Sequence, residues 1–247
     1  EIYTLSLHDA LPISSLLVKG DYADAFRLAT AAIDKFGWYN RNCAINPYLV
    51  EGKKTCAMEI AEQLAWNVPD KVFISVGDGC CIGGLYKGFG DLMELGLTER
   101  MPRIFGVQAE GSKPIYEAFK AGAEKVTFTR AATLADSISV GSPRNWAKAL
   151  RAVRRTDGDM LTVTDEEILS AIPELARSTG VFGEPAGATA FAGFRKAAQS
   201  GALSSGDCVA VVVTGNGLKD IANAQKSVPP ALSVAPDLAE LESKLGL

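Results

Sequence analysis

Histidine is nearly missing from this chain. The single one, His8, stands in the first 14 residues, EIYTLSLHDALPIS. That string differs from everything after it. It looks like translated sequencing-adapter read-through, so it is expected to be non-native and is set aside from fold reasoning. Residues 15–247 then contain no imidazole. Histidine-based triads, histidine-ligated metals and histidine acid–base catalysis have no donor there. Paired C-x-x-C spacing is absent too. The five cysteines are Cys43, Cys56, Cys80, Cys81 and Cys208. An odd set without that spacing points to reduced thiols in a cytosolic protein, with no disulfide framework and no metal site. There is no long basic run, and 25 basic residues against 29 acidic ones leave a net charge of −4. Nucleic acid is therefore not an expected partner. Apolar runs fall far short of the roughly 20 residues that a membrane-spanning helix needs. No secretory leader with a basic start and long apolar centre is visible.

What remains is ordinary for a soluble enzyme: 47% hydrophobic and 22% charged residues over 247 positions, enough for a sizeable core. Helix and strand signals alternate along it. Leu16–Val18 reads as the end of a strand. Asp21–Phe36 reads as a helix with Asp21 as N-cap and Gly37 as stop. An Asn-rich connection runs to Pro47, followed by a helix over Val50–Leu64. Strands are expected at Val72–Val76, Arg103–Gln108, Met160–Val163 and Val209–Val213, the last one buried and parallel. Helices are expected at Leu85–Leu95, Pro114–Ala121, Ser142–Arg154, Asp165–Ser178, Gly187–Gln199 and Pro236–Leu245. Thr164 and Glu167 form a capping-box pair before the Asp165 helix. Strands separated by helices imply a doubly wound α/β sheet with right-handed crossovers, in which ligands sit beyond the carboxyl ends of the strands.

Two loops lie at such ends. The first is GDGCCIGG, Gly77 to Gly84, after an apolar β-branched run. Its glycines allow backbone N–H groups to crowd round a bound group, and the next helix directs its positive dipole end there. Amides from Gly77 to Ile82 form a phosphate cradle on this reading; the alternative is a turn needed only for close helix–strand packing. It is neither a Walker loop nor a dinucleotide fingerprint, since no Gly-Lys-Ser/Thr follows and Ile82 stands where a small residue is required. The vicinal pair Cys80–Cys81 supplies small residues whose backbone binds, or else redox or metal chemistry. The second loop is TGNGLKD, Thr214 to Asp220. Thr214 either meets a heterocyclic nitrogen of a cofactor or simply ends the strand and caps the turn. A third motif, GEPAGATA from Gly183 to Ala190, puts Glu184 beside the crevice or against a helix start, where it would complement the dipole.

These motifs, in this order, resemble the pyridoxal-phosphate enzymes of fold type II, the tryptophan synthase β-like family. Within it the likeness runs most strongly to threonine synthases. The strings that carry it are VGDGCCIGGLYKGF, ELGLTERMPRIFGVQAEGS, ADSISVG, TDEEIL, VFGEPAGATAF and VVVTGNGLKD, over roughly Val18 to Leu247. The resemblance implies a three-layer doubly wound α/β sheet of that type, incomplete at the N-terminus. It also implies pyridoxal 5'-phosphate as cofactor. Gly77, Asp78, Gly79, Cys80, Cys81 and Ile82 would lie at the cofactor phosphate, Thr214 would meet the pyridine nitrogen, and Glu184 would line the ring's edge. The reaction implied is that of a carbon–oxygen lyase converting O-phosphohomoserine and water to threonine and phosphate. Rivals are a threonine or serine ammonia-lyase, a related β-replacing synthase such as cysteate synthase, and a non-catalytic small-molecule binding module.

One departure matters. Family members carry a Schiff-base lysine in an S-F-K-D-like segment and a Ser/Thr-Gly-Asn loop that clasps the substrate carboxylate; neither segment is in this sequence. Lys53, Lys54, Lys87 and Lys219 do not stand in that context. No catalytic residue is assigned, and the chain is expected to be an inactive carboxyl-terminal portion of its parent enzyme. The expected organisation is read-through over 1–14, a remnant of a smaller domain over 15–45, a larger cofactor-binding domain over 46–229 and a tail over 230–247. The expected partners are an amino-acid substrate and a second copy of the parent, in the cytoplasm, with neither nucleic acid nor membrane.

Overall fold

The computed structural model describes residues 16–246. The adapter-like string 1–14 lies outside the described residues. A helix α1, Tyr22–Phe36, opens the fold. Asp21 and Asp24 form a reciprocal capping box at its start, and Gly37 closes it in the left-handed region at φ 69°. Helix α2 (Pro47–Glu51) runs through one 3-10 turn into α3 (Thr55–Gln63). The single helix expected over Val50–Leu64 is thus two, joined at Gly52–Lys54. Leu16–Val18 belongs to no strand, and the side chains of Leu16 and Leu17 are exposed.

From there the chain alternates: β1 (Lys71–Ser75), α4 (Cys80–Glu94), β2 (Arg103–Ala109), α5 (Pro114–Lys120), α6 (Trp146–Arg155), β3 (Asp159–Val163), α7 (Asp165–Thr179), α8 (Pro185–Gln199) and β4 (Val209–Val212). Short helices α9 (Ile221–Gln225) and α10 (Leu238–Leu245) follow. The Thr164–Glu167 capping box forms as its residues dictate.

The sheet order is β3-β2-β1-β4, with every pairing parallel. Side chains alternate across it. Val72 and Ile74 of β1 pack on one face with Ala57, Leu85, Phe89 and Ala149, from helices α3, α4 and α6. Phe73 points to the other face with Ile168, Ile172, Ala188 and Ala192, from helices α7 and α8. Phe73 and Phe105, paired in register, stack at 4.7 Å between ring centroids. The result is a three-layer α/β sandwich. Strand β4, expected to be buried, is half-buried because it is the sheet's edge.

This topology creates a switch point. From β1 the chain moves outward through β2 to β3, then returns to place β4 on the other side of β1. The loops after β1 and β4 therefore open side by side, where doubly wound sheets take their ligands.

Candidate functional site

The first loop leaves β1 at Val76 and turns through Gly77, Asp78 and Gly79 into α4. Gly79 is the N-cap, held at φ 92°, and a Cβ there would lie 2.7 Å from the Asn145 carbonyl oxygen. Only glycine fits that backbone and that approach. Helix α4 begins at Cys80, five residues before the expected Leu85, so the amides of Cys80, Cys81 and Ile82 form its first turn. They have no intrahelical acceptor, no side chain caps them, and no acidic residue stands in that turn. A cradle of free N–H groups at a positive helix end matches the charge and the acceptor oxygens of a phosphate. The Ile82 side chain itself is buried in the core, which leaves only its backbone for the cradle.

Asp78 holds the loop in place. Its Oδ1 accepts from the Arg144 amide at 2.7 Å and its Oδ2 from Asn145 Nδ2 at 3.2 Å, while its carbonyl accepts from the Asn145 amide at 2.9 Å. Its carboxylate is thus engaged by residues 144 and 145 and lies 3.3 Å from the Cys80 thiol. Cys80 is buried beside it. Asn145 Nδ2 donates to its sulfur at 3.0 Å, and its own thiol lies 3.3 Å from the sulfur of Cys43, which comes from the connection between α1 and α2. Cys81, half-buried, packs against the cluster under β1 instead.

The second loop follows β4. Thr214 is exposed, and its Oγ1 lies 3.5 Å from the Ser75 hydroxyl at the end of β1. Residues 215–217 are zipped to 182–184: the Glu184 amide donates to the Gly215 carbonyl and the Gly217 amide to that of Phe182, both at 2.9 Å. A Cβ on Gly215 would meet Glu184 Oε1 at 2.1 Å. Glu184 is only 4% exposed and does not cap α8 with its side chain. Instead it accepts from the Ser137 hydroxyl at 3.3 Å and faces Lys219 Nζ at 3.5 Å.

Ser137 joins the two halves. Lys219 Nζ donates to its hydroxyl at 2.9 Å, and a Cβ on Gly77 would lie 3.3 Å from its carbonyl oxygen. Ser137, Asn145 and Cys43 had no role in the sequence reading. ADSISVG had marked the segment of Ser137, but nothing in residue spacing places it between two loops more than fifty residues away on either side. Lys54 and Lys87 pair with Glu51, Lys53 donates to the Leu49 carbonyl, and Lys219 reaches Ser137 and Glu184.

Among the described residues no group of three or more potential metal ligands occurs, and no helix is long and apolar enough to cross a membrane. The donor set is one of amides, hydroxyls and one buried carboxylate. Those groups fit a phosphorylated heterocycle: the amides the phosphate, the Thr214 hydroxyl a ring nitrogen.

Comparison with known proteins gives the family. The chain is 42% identical over 206 residues to a threonine synthase of Methanosarcina acetivorans, covering 83% of this chain and 51% of that protein. It is 36% identical over 230 residues to a threonine synthase of Mycobacterium tuberculosis, covering 93% and 62%. It thus spans roughly half to three-fifths of the length of these curated relatives. Among solved structures, the processed form of threonine deaminase isoform 2 from Solanum lycopersicum superposes with a TM-score of 0.71 at 23% identity, over 89% of this chain and 60% of that one. A family model described as pyridoxal-phosphate dependent enzyme matches residues 10–215. With most of its length inside that match, the chain belongs to the pyridoxal-phosphate-dependent enzymes, and its cofactor is pyridoxal phosphate.

Proposed function

We propose that the chain is part of a lyase of the threonine synthase type, acting on O-phosphohomoserine and water to give threonine and phosphate. The observation that carries this is its 42% identity to a threonine synthase over most of its length. When bound, pyridoxal phosphate supplies the electron sink for carbanions at the substrate's carbons. The chain's own part is binding and orientation. Amides from Gly77 to Ile82 hold the phosphate in the free first turn of α4. Thr214 offers the ring nitrogen a neutral hydroxyl, and so leaves the nitrogen less fully protonated than a carboxylate would. Ser75, 3.5 Å away, steadies that hydroxyl. Glu184, held by Ser137 and Lys219, lines the ring's edge and fixes the second loop through Gly215.

The lysine that family members join to the cofactor stands in an S-F-K-D-like segment, which this sequence lacks. The chain by itself therefore takes up the cofactor through its phosphate and does not turn over substrate. The test is a chimera in which the amino-terminal region of the Methanosarcina relative precedes residue 16. Release of inorganic phosphate from O-phosphohomoserine supports the reading. Ketoacid formed from threonine would replace it with an ammonia-lyase, which the threonine deaminase fold leaves open. No reaction with either substrate by a folded, cofactor-loaded chimera would overturn both.

A further inference from the structure

Cys43 and Cys80 come from separate parts of the chain, 37 residues apart, yet their sulfurs lie 3.3 Å from each other. A disulfide bond is about 2.05 Å long, so closure needs an approach of only about 1.2 Å. Cys80 is buried and fixed by Asn145 Nδ2, whereas Cys43 is half-exposed on the irregular connection between α1 and α2. A small oxidant in solvent can thus reach one sulfur while the other waits beneath it. The vicinal partner suggested by sequence, Cys81, packs against the apolar core, and its sulfur makes no hydrogen bond to Cys43 or Cys80.

We propose that Cys43 and Cys80 are a reversible redox couple, closed by a low-molecular-weight disulfide such as oxidised glutathione, that ties the 37–46 connection to the first turn of α4. The Cys43 thiolate attacks one sulfur of glutathione disulfide, forming a mixed disulfide and releasing one glutathione thiolate. Cys80 gives up its proton and attacks the Cys43 sulfur, releasing the second glutathione. Two protein thiols and one glutathione disulfide become one protein disulfide and two reduced glutathiones. The charges around the pair suit this order. The S–H of Cys80 donates to Cys43 and lowers its pKa to about 6, with help from Lys53. The same contact, together with burial and Asp78, raises that of Cys80. Cys43 is therefore the attacking thiolate and Cys80 the resolving thiol. The inference stands on thiol geometry alone and does not depend on the reaction proposed above.

The experiment treats the folded chain with oxidised glutathione and maps its peptides without reduction. The expected product is a peptide pair joining Cys43 to Cys80, with two fewer free thiols than the five of the reduced chain. It should form also in Cys81→Ser, be absent in Cys43→Ser and be undone by dithiothreitol. Amide exchange across residues 38–46 should slow on oxidation. Linkage of Cys43 to any other cysteine, a glutathione adduct on Cys43 that never resolves, or unchanged exchange across 38–46 would overturn the proposal.

Discussion

Asn145 holds Asp78 twice: its backbone amide donates to the Asp78 carbonyl at 2.9 Å, and its side chain donates to Asp78 Oδ2 at 3.2 Å. This double tie fixes the shape of the β1–α4 loop from outside, through the irregular stretch that precedes α6. Replacing Asp78 with alanine keeps the backbone tie but removes the carboxylate that accepts from Asn145 Nδ2 and from the Arg144 amide. The expected loss is about 1–3 kcal/mol of stability, the usual penalty for stranding part-buried donors. A urea unfolding midpoint measures it. Pyridoxal phosphate should also bind more weakly to Asp78→Ala, because the cradle amides lose their frame; unchanged affinity would show that the loop shapes itself.

Gly79 and Gly37 make a matched pair of substitutions. Both sit at positive φ, 92° and 69°, but a Cβ at Gly79 meets the Asn145 carbonyl oxygen at 2.7 Å whereas one at Gly37 meets nothing within 4 Å. Gly37→Ala should therefore cost only the left-handed backbone strain, about 1–2 kcal/mol. Gly79→Ala adds a clash with backbone, for a total of about 2–5 kcal/mol. Thermal melts of the two variants compare them directly. Equal losses would mean that the approach to Asn145 is soft.

Much of this fold was legible because local chemistry decided it. The Thr164–Glu167 capping box, the Asp21 cap and the β-branched run of β1 each specify a boundary or an element within a few residues. The start of α4 was not legible. Gly83 and Gly84 suggested continuing loop, but they lie inside the helix, where Cβ atoms would press within 3 Å of Lys148 and Lys53. They are glycines for helix packing, the alternative that the glycine-rich run had offered. The two loops of the site were found because they follow apolar strands. Ser137 and Asn145 were not: Ser137 stands in a lone 3-10 turn, Asp136–Ile138, and Asn145 falls inside the helix expected from Ser142, which begins only at Trp146. Their roles depend on long-range contact, to which spacing is blind.

Cys43 gives the site a pH signature. Its thiol is held at about pKa 6 against an ordinary 9.0, chiefly by the hydrogen bond from Cys80. Lys53 facing it adds to that lowering, while burial and Asp78 oppose it. A lowered pKa means the thiolate persists down to that pH and is lost below it. Alkylation by iodoacetamide should therefore modify Cys43 first, with a rate that rises through about pH 6 and then levels. Cys56 and Cys81, whose pKa values burial raises, should lag behind. Cys80→Ala removes the donor and should move the midpoint up towards 9; a midpoint that stays put would assign the lowering to Lys53.

Thr214 tests the second loop without disturbing the first. Its hydroxyl is exposed beyond β4 and touches the Ser75 hydroxyl at 3.5 Å. Thr214→Val keeps the shape and removes the hydrogen-bonding group. A net hydrogen bond is worth about 0.5–1.5 kcal/mol, so affinity for pyridoxal phosphate should fall roughly two- to twelve-fold. Thr214→Ser restores the hydroxyl and should restore most of the affinity. Inorganic phosphate provides the internal control, since it needs only the cradle at α4 and should compete equally well in all three proteins. If Thr214→Val weakened phosphate as much as the cofactor, the hydroxyl would be acting through the fold of the crevice and not through the ring. The contrast works because β1 and β4 are neighbours, so the loops that follow them open side by side and can be probed one at a time.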